Sequence, residues 1–136
     1  GERRAEYRFV PICIFTMPEI ADVGITEAEA EDAGLEYTVT RFPFRANGRA
    51  LAIGETYGQV RMICEKTPEG NGGKVLGVHI IGPRAGDLIA EAALAMRLEA
   101  TAEDIAHTIH AHPTIPEAMM EVAMAHSFGA IHYERR

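Results

Sequence analysis

After residue 37 the hydrophobic residues of this chain change their period once, just after Ile81, and that change limits the folds open to it. Before it, residues 59–66 alternate apolar with polar side chains, as a half-buried strand does, and two other stretches are rich in β-formers, 37–42 and 74–81. After it, residues 87–98 carry apolar side chains around most of a helix, which predicts a buried or interface helix. This order predicts an α+β fold, a mainly antiparallel sheet with helices packed on one side.

The segment before residue 37 is predicted to add a strand and a helix. Residues 9–15 form a short, nearly continuous apolar run, which is typical of a buried strand. Thr26 followed by Glu29 has the spacing of a capping box, and Gly34 is a suitable left-handed stop for the helix between them. The later signals are a turn at 47–48 and helix caps at Thr101 and Thr114.

Length and charge limit the class of protein. The 136 residues suit one domain, with residues 1–8 predicted as a disordered or linker lead-in and residues 9–136 as the domain itself. A net charge of −7 without a long basic run argues against a nucleic-acid partner. No apolar stretch approaches the ~20 residues of a spanning helix, so no membrane role is predicted.

The chain has two cysteines, Cys13 and Cys64, and each lies inside an apolar run. Because the two are far apart in sequence, they form no redox disulfide motif, and we predict two buried free thiols. Free thiols are typical of reducing compartments, so we expect a cytoplasmic protein.

The densest cluster of titratable side chains lies at residues 107–117. His112 comes just before a predicted helix, Glu117 falls in its first turn, and Pro113 restricts the backbone between them. A carboxylate in that turn can reach back to the imidazole and fix its tautomer, which leaves the other ring nitrogen free as a general base. His112 and Glu117 are therefore candidate catalytic residues.

Two other interpretations of this segment stay open. Thr114 and Glu117 have the spacing of a capping box, so Glu117 can be purely structural. His107, His110 and His112 place three nitrogen donors within six residues, a donor type that zinc accepts. No cysteine lies near them, and a predicted helix end separates the first two from the third, so we predict no metal site.

The same segment also carries a resemblance. Residues 111–117, Ala-His-Pro-Thr-Ile-Pro-Glu, resemble the His-Pro-Thr-x-x-Glu signature of the pyridine-nucleotide disulfide oxidoreductases. The preceding His110 makes the segment more similar to the dihydrolipoamide dehydrogenase branch than to glutathione reductase. Three further blocks resemble the family in the family's order, and the resemblance covers about residues 10 to 133; the blocks are 15–24, 42–50 and 76–87.

The resemblance implies the C-terminal dimerisation (interface) domain of an FAD-dependent, NAD-linked enzyme that oxidises a dithiol. His112 would take a proton from the dithiol in the partner subunit's active site, and Glu117 would hold His112. The backbone at His112 and Pro113 would face the partner's FAD, and their peptide bond would be cis. The family's FAD and NAD glycine motifs and its redox cysteine pair are absent from this sequence. We therefore expect the fragment alone to be inactive and to hold no cofactor.

The resemblance also implies partners. The first is a second copy of the chain, bound through this domain. The others are the upstream FAD and NAD domains and a 2-oxo acid dehydrogenase complex. The apolar helix at 87–98 is the expected interface. Two alternatives remain. One is a stand-alone, non-catalytic binding or dimerisation module, and stoichiometric zinc after chelator washing would support its metal-binding form. The other is another branch of the family, similar to glutathione or mercuric reductase.

Overall fold

A computed structural model describes residues 7–70 and 72–133. Its centre is a five-stranded antiparallel sheet in the order β1-β2-β5-β4-β3. The strands are β1 (Ile12–Ile14), β2 (Glu19–Gly24), β3 (Tyr37–Pro43), β4 (Gln59–Lys66) and β5 (Gly72–Gly82). The helices are α1 (Glu27–Asp32), α2 (Gly48–Ile53), α3 (Ala85–Arg97), α4 (Ala102–His107) and α5 (Glu117–Met124), with 3-10 turns at Tyr7–Phe9 and Phe44–Ala46.

The two faces of the sheet differ in polarity, and this confirms the predicted α+β fold with helices on one side. One face joins a single apolar core with α3, α4 and α5, and α3 packs across β2 and β5. On the other face, Asp22, His79 and Arg61 lie in register on β2, β5 and β4. The largest side chains buried in the core include Phe42, Phe44, Met62, Ile80, Ile89 and Met119.

Two of the helix starts agree with the sequence in detail. The Thr26 hydroxyl accepts the Glu29 N–H at 3.2 Å, and the Glu29 carboxylate accepts the Thr26 N–H at 2.8 Å, which is the predicted capping box of α1. Gly34 follows that helix at φ 66°, as predicted for a left-handed stop. Thr101 caps α4 in the same way, with Asp104 as its reciprocal partner.

The prediction of a buried strand at residues 9–15 is wrong. The strand is confined to Ile12–Ile14 at the edge of the sheet, and the side chains of Ile12 and Ile14 are 63% and 48% exposed. An apolar run looks alike whether its strand is central or at an edge, so hydropathy alone could not place it. Strand β2, which the sequence analysis did not predict, lies between this edge and β5.

Three smaller differences concern segment ends. Asn47 and Gly48, predicted as a turn, begin α2 instead, because the Asn47 side chain accepts the Ala50 N–H and caps the helix. Residues 1–6 of the predicted lead-in lie outside the described residues, and its last two residues, Tyr7 and Arg8, belong to a 3-10 turn. No helix in the described ranges has the length and apolarity needed to cross a membrane.

A pair of alanine variants tests the close approach of β2 to β5. A Cβ at Gly24 (φ 81°) would come 2.2 Å from the Leu76 carbonyl oxygen, whereas one at Gly34 (φ 66°) meets nothing within 4 Å. We expect Gly34→Ala to lower the free energy of unfolding by about 1 kcal/mol, the strain of a left-handed alanine. Gly24→Ala should cost about 1–3 kcal/mol more, because the backbone must move. Urea unfolding that gives equal losses for the two variants would contradict this close approach.

Candidate active site

Residues 108–116, here called the His112 loop, connect α4 to α5 without regular structure. Helix α4 ends at His107, with Thr108 as its C-cap in an extended conformation. The peptide bond between His112 and Pro113 is cis, which confirms the prediction. Residues 111–113 are exposed, so the loop presents the His112 ring at the surface of the domain.

The predicted contact between His112 and Glu117 is present. His112 Nδ1 lies 2.8 Å from Glu117 Oε1. An ionised carboxylate can only accept, so Nδ1 carries a proton, and in the neutral ring Nε2 is the nitrogen that keeps its lone pair. The His112 side chain is 72% exposed and that of Glu117 is 14% exposed. The arrangement therefore holds an exposed imidazole by a nearly buried carboxylate and leaves Nε2 free to accept a proton from another molecule.

The second oxygen of Glu117 holds the loop backbone. Glu117 Oε2 accepts the Thr114 N–H at 2.8 Å. Burial raises the pKa of the Glu117 carboxyl, but the hydrogen bonds from the Thr114 N–H and from His112 outweigh burial, and the pKa lies below its ordinary value. Glu117 is thus a carboxylate at neutral pH, as its role of acceptor requires.

The capping box expected from Thr114 and Glu117 is only half formed. The Thr114 hydroxyl donates to the Ala111 carbonyl at 2.6 Å and does not cap the helix. Helix α5 begins at Glu117, with Pro116 as an N-cap that makes no side-chain hydrogen bond, so the predicted cap at Thr114 is two residues too early. Glu117 supports the backbone and contacts His112 at the same time, one oxygen for each.

Asn47 joins the His112 loop to the start of α2. Its Nδ2 donates to the Thr114 carbonyl at 3.1 Å while its Oδ1 accepts the Ala50 N–H at 2.9 Å, and the residue is buried. Ile115, also buried, adds an apolar contact to the core on the same side of the loop. Sequence analysis missed this role because Asn before Gly indicates a turn, and nothing local connects residue 47 to residue 114.

The other two histidines of the segment turn to different partners. His110 Nε2 lies 2.8 Å from Glu91 Oε1, and the His107 ring stacks on Phe128 with ring centroids 5.9 Å apart. His107, His110 and His112 therefore do not converge. Within residues 7–70 and 72–133, no group of three or more His, Cys, Asp or Glu side chains is arranged to hold a metal ion.

Neither cysteine lies in the His112 loop. Cys64 on β4 is a buried free thiol, as predicted, and burial raises the pKa of that thiol well above its ordinary value. Cys13 on β1 is free but only half-buried, so the prediction that it is buried is wrong. A buried thiol with a raised pKa is a poor nucleophile, and β4 therefore supplies packing and no redox group.

Comparison with known proteins begins with a family match. Residues 10–123 match the family described as pyridine nucleotide-disulphide oxidoreductase, dimerisation domain. The mitochondrial dihydrolipoyl dehydrogenase of Pisum sativum is 50% identical over 120 residues, which are 88% of this chain and 23% of that protein. The mitochondrial dihydrolipoyl dehydrogenase of Sus scrofa is 46% identical over 129 residues, 95% of this chain and 25% of that protein.

Solved structures give the same fold. LpdA from Mycobacterium tuberculosis superposes with a TM-score of 0.81 at 28% identity, over 90% of this chain and 26% of that chain. The HOCl-induced flavoprotein disulfide reductase RclA from Escherichia coli superposes with a TM-score of 0.77 at 23% identity, over 84% of this chain and 25% of that chain. The second likeness concerns the fold alone.

Two consequences follow from these matches. The chain spans about a quarter of the length of the curated relatives it matches. The expectation of a cytoplasmic location, drawn from two unpaired cysteines, is contradicted, since the pea and pig relatives are both mitochondrial proteins. Free thiols indicate a reducing compartment and cannot separate one such compartment from another.

The lowered pKa of Glu117 predicts how stability depends on pH. Because the folded pKa lies below the unfolded one, the carboxylate stabilises the fold above the unfolded pKa, and this contribution is lost as pH falls through the folded pKa. We expect Glu117→Gln to lower the free energy of unfolding at neutral pH by about 1–3 kcal/mol, the scale of hydrogen bonds to a charged group. The difference should shrink as the pH falls below the ordinary carboxyl pKa of about 4.3, and it is lost only once the pH lies below the folded pKa.

Urea unfolding at a series of pH values measures this difference. Glu69→Gln, which changes an exposed loop carboxylate, is the matched control and should show no such pH-dependent loss. A gap between the original chain and Glu117→Gln that stays constant from neutral to acid pH would contradict the ionised state of Glu117 in the fold.

Proposed function

Because the chain belongs to the pyridine nucleotide-disulphide oxidoreductase family and matches its dimerisation domain, we propose that it is the C-terminal dimerisation domain of a dihydrolipoyl dehydrogenase-like enzyme. The identities of 50% and 46% to the pea and pig enzymes favour this branch over one similar to glutathione or mercuric reductase. The observation that carries the chemical part of the proposal is the contact of exposed His112 with nearly buried Glu117.

His112 acts as the general base in the proposed reaction. A thiol of the dihydrolipoyl substrate gives its proton to His112 Nε2, so the S–H bond breaks and an N–H bond forms. The resulting thiolate attacks a disulfide supplied by the rest of the enzyme and releases a second thiolate, since a thiolate is the species that attacks a disulfide. The exposure of the ring suits this task, because the substrate and the disulfide belong to other parts of the assembly.

Glu117 is the second member of the proposed pair. It accepts from Nδ1, which keeps the proton off Nε2 in the neutral ring, and its negative charge stabilises the imidazolium that forms when Nε2 takes the proton. Its hydrogen bond to the Thr114 N–H fixes the carboxylate to the loop that carries His112. One side chain, that of Glu117, thus both orients the His112 ring and stabilises its positive charge.

FAD and NAD are the proposed cofactors of the whole enzyme, where a bound flavin would supply the acceptor for the electron pair of the dithiol. The part of this chain that fits such a group is the exposed backbone of residues 111–113, which offers one wall and no enclosed cavity. We propose that His112 and Pro113 contact the partner subunit's FAD through this backbone, and that upstream domains bind the rest of both cofactors.

We propose a homodimer that forms through the outer face of α3 and its surroundings. Leu94 on α3 and Leu98, the C-cap of that helix, are 60% and 70% exposed, and Ile109 and Phe128 are also largely exposed. Large apolar side chains that share one helix face are typical of an interface. We further propose that the whole enzyme associates with a 2-oxo acid dehydrogenase complex, as the resemblance to the dihydrolipoamide dehydrogenase branch implies.

In the full-length enzyme, we expect Glu117→Ala to lower the turnover of dithiol oxidation by ~10²-fold or more, the scale of lost acid–base support. Glu69→Ala, which removes an exposed loop carboxylate, is the control and should retain turnover. Steady-state kinetics with dihydrolipoamide and NAD measures both. Unchanged turnover in Glu117→Ala would show that the Glu117 carboxylate has no part in the proposed mechanism.

Mixed dimers test whether His112 acts on the partner's site. One subunit carries His112→Gln, and the other carries a substitution in its redox cysteine pair. If His112 acts across the interface, one of the two sites keeps both parts, and the mixed dimer has about half of the normal activity. If His112 serves its own subunit, both sites are incomplete, and an inactive mixed dimer would contradict the proposal.

The dimer interface is tested by light scattering over a dilution series. We expect the chain to have twice its mass of 14.8 kDa, and the double variant Leu94→Glu with Leu98→Glu to have the single mass. Leu51→Glu on α2, where the leucine is 57% exposed, is the control and should remain dimeric. A dimer that survives both changes on α3 would show that the interface lies elsewhere.

A further inference from the structure

We propose that His110 is a positioning residue of the same site, a buried and doubly protonated imidazolium that ties the His112 loop to α3 through Glu91. The inference about the charge state of His110 depends only on the contacts of its own ring. The effect of His110 on turnover rests on the function proposed above for His112 and Glu117. Sequence analysis considered His110 only as a metal ligand or as part of a family motif, so this role comes from the structure alone.

The ring of His110 contacts two groups that can only accept. Nε2 lies 2.8 Å from a carboxylate oxygen of Glu91, and Nδ1 lies 2.8 Å from the carbonyl oxygen of Thr108. A neutral imidazole has one N–H, so it would leave one nitrogen lone pair directed at an oxygen lone pair. The side chain is 7% exposed, which leaves little room for water to separate them. Both contacts are satisfied when both nitrogens carry protons.

The charged groups around the ring favour the same state. Helix α3 contributes Glu91, the direct partner, and α5 contributes Glu117, which adds a weaker attraction. The hydrogen bond to Glu91 raises the pKa of His110, burial opposes the rise, and the pKa ends above its ordinary value. The imidazolium therefore has a carboxylate partner within the fold, as a nearly buried charge requires.

The partner of His110 belongs to a helix that packs directly on the sheet. Glu91 is on α3, which contacts β2 and β5 and whose buried side chains include Leu88, Ile89 and Ala92. Its contact with His110 joins residues that are 19 apart in sequence. The contact between His112 and Glu117, in contrast, joins the loop to the start of α5, the helix that follows it directly in the chain.

The exposure of His112 makes this anchor necessary. Its side chain is 72% exposed, so packing around the ring fixes little of its position, and its backbone must be held instead. His110 holds that backbone two residues before His112, and Asn47 holds it two residues after, through the Thr114 carbonyl. A misplacement of ~1 Å in a reacting group can cost ~10²-fold in rate, so anchors of this kind affect turnover.

The first experiment needs no variant. Nitrogen-15 NMR of the imidazole rings of this chain is recorded at about pH 7.5. This pH is about one unit above the ordinary imidazole pKa of about 6.5. We expect His110 to show two protonated ring nitrogens there, and Glu91→Gln to move the loss of the second proton to lower pH. A singly protonated His110 at that pH would overturn the inference.

The second experiment measures kcat and KM of the full-length enzyme with dihydrolipoamide. We expect His110→Gln to lower kcat by about tenfold or more while KM changes by less than about twofold, because the ring orients a group that acts in the transition state. His79→Gln is the matched control. His79 also lies between a carboxylate and a carbonyl, those of Asp22 and Ile25, but on β5 and away from the loop. We expect its kcat to stay within about twofold.

The outcomes separate this inference from the proposed function. Full activity in His110→Gln, or equal losses in His110→Gln and His79→Gln, would overturn the positioning role. Unchanged turnover in Glu117→Ala would instead overturn the catalytic pair, and the NMR result for His110 would still decide its charge state. Circular dichroism on each variant excludes unfolding as the cause of a lost kcat.

Discussion

Apolar side chains of α3, packed across β2 and β5, hold the sheet and the later helices together as one body. Helix α4 contacts β5, and α5 contacts β3 and β4, so all three helices share one core with the sheet. The His112 loop connects α4 to α5 and must therefore pass the end of this core as irregular backbone. Its position depends on side chains from elements that the core already fixes, α3 and the start of α2.

The polar anchors of the His112 loop follow from that constraint. Irregular backbone cannot satisfy its own hydrogen-bonding groups as a helix does, so side chains must supply the missing partners. Asn47 accepts and donates, Glu117 accepts with both oxygens, and the Thr114 hydroxyl donates to a carbonyl. Each of these groups also limits the motion of the backbone beside His112. The same side chains therefore satisfy the hydrogen-bonding groups of the loop backbone and hold the exposed imidazole of His112 in place.

The sequence predicted the parts of this structure that depend on local signals. The capping box at Thr26, the helix cap at Thr101, the β4 alternation and the pairing of His112 with Glu117 each involve residues that lie within a few positions of one another in the chain. The failures concern information that is not local. Whether residues 9–15 are central or at an edge depends on the neighbours of β1, and the partner of His110 lies 19 residues away on another helix. No periodicity or spacing rule contains such contacts.

The edge position of β1 affects how the separate domain behaves in solution. Among the described residues no strand pairs with its outer side, and Ile12, Ile14 and Phe15 expose apolar side chains along the same stretch. A strand edge of this kind is a template on which another extended chain can add by hydrogen bonding. We therefore expect the separate domain, at high concentration, to self-associate through β1 without any unfolding of the core on the other side of β2.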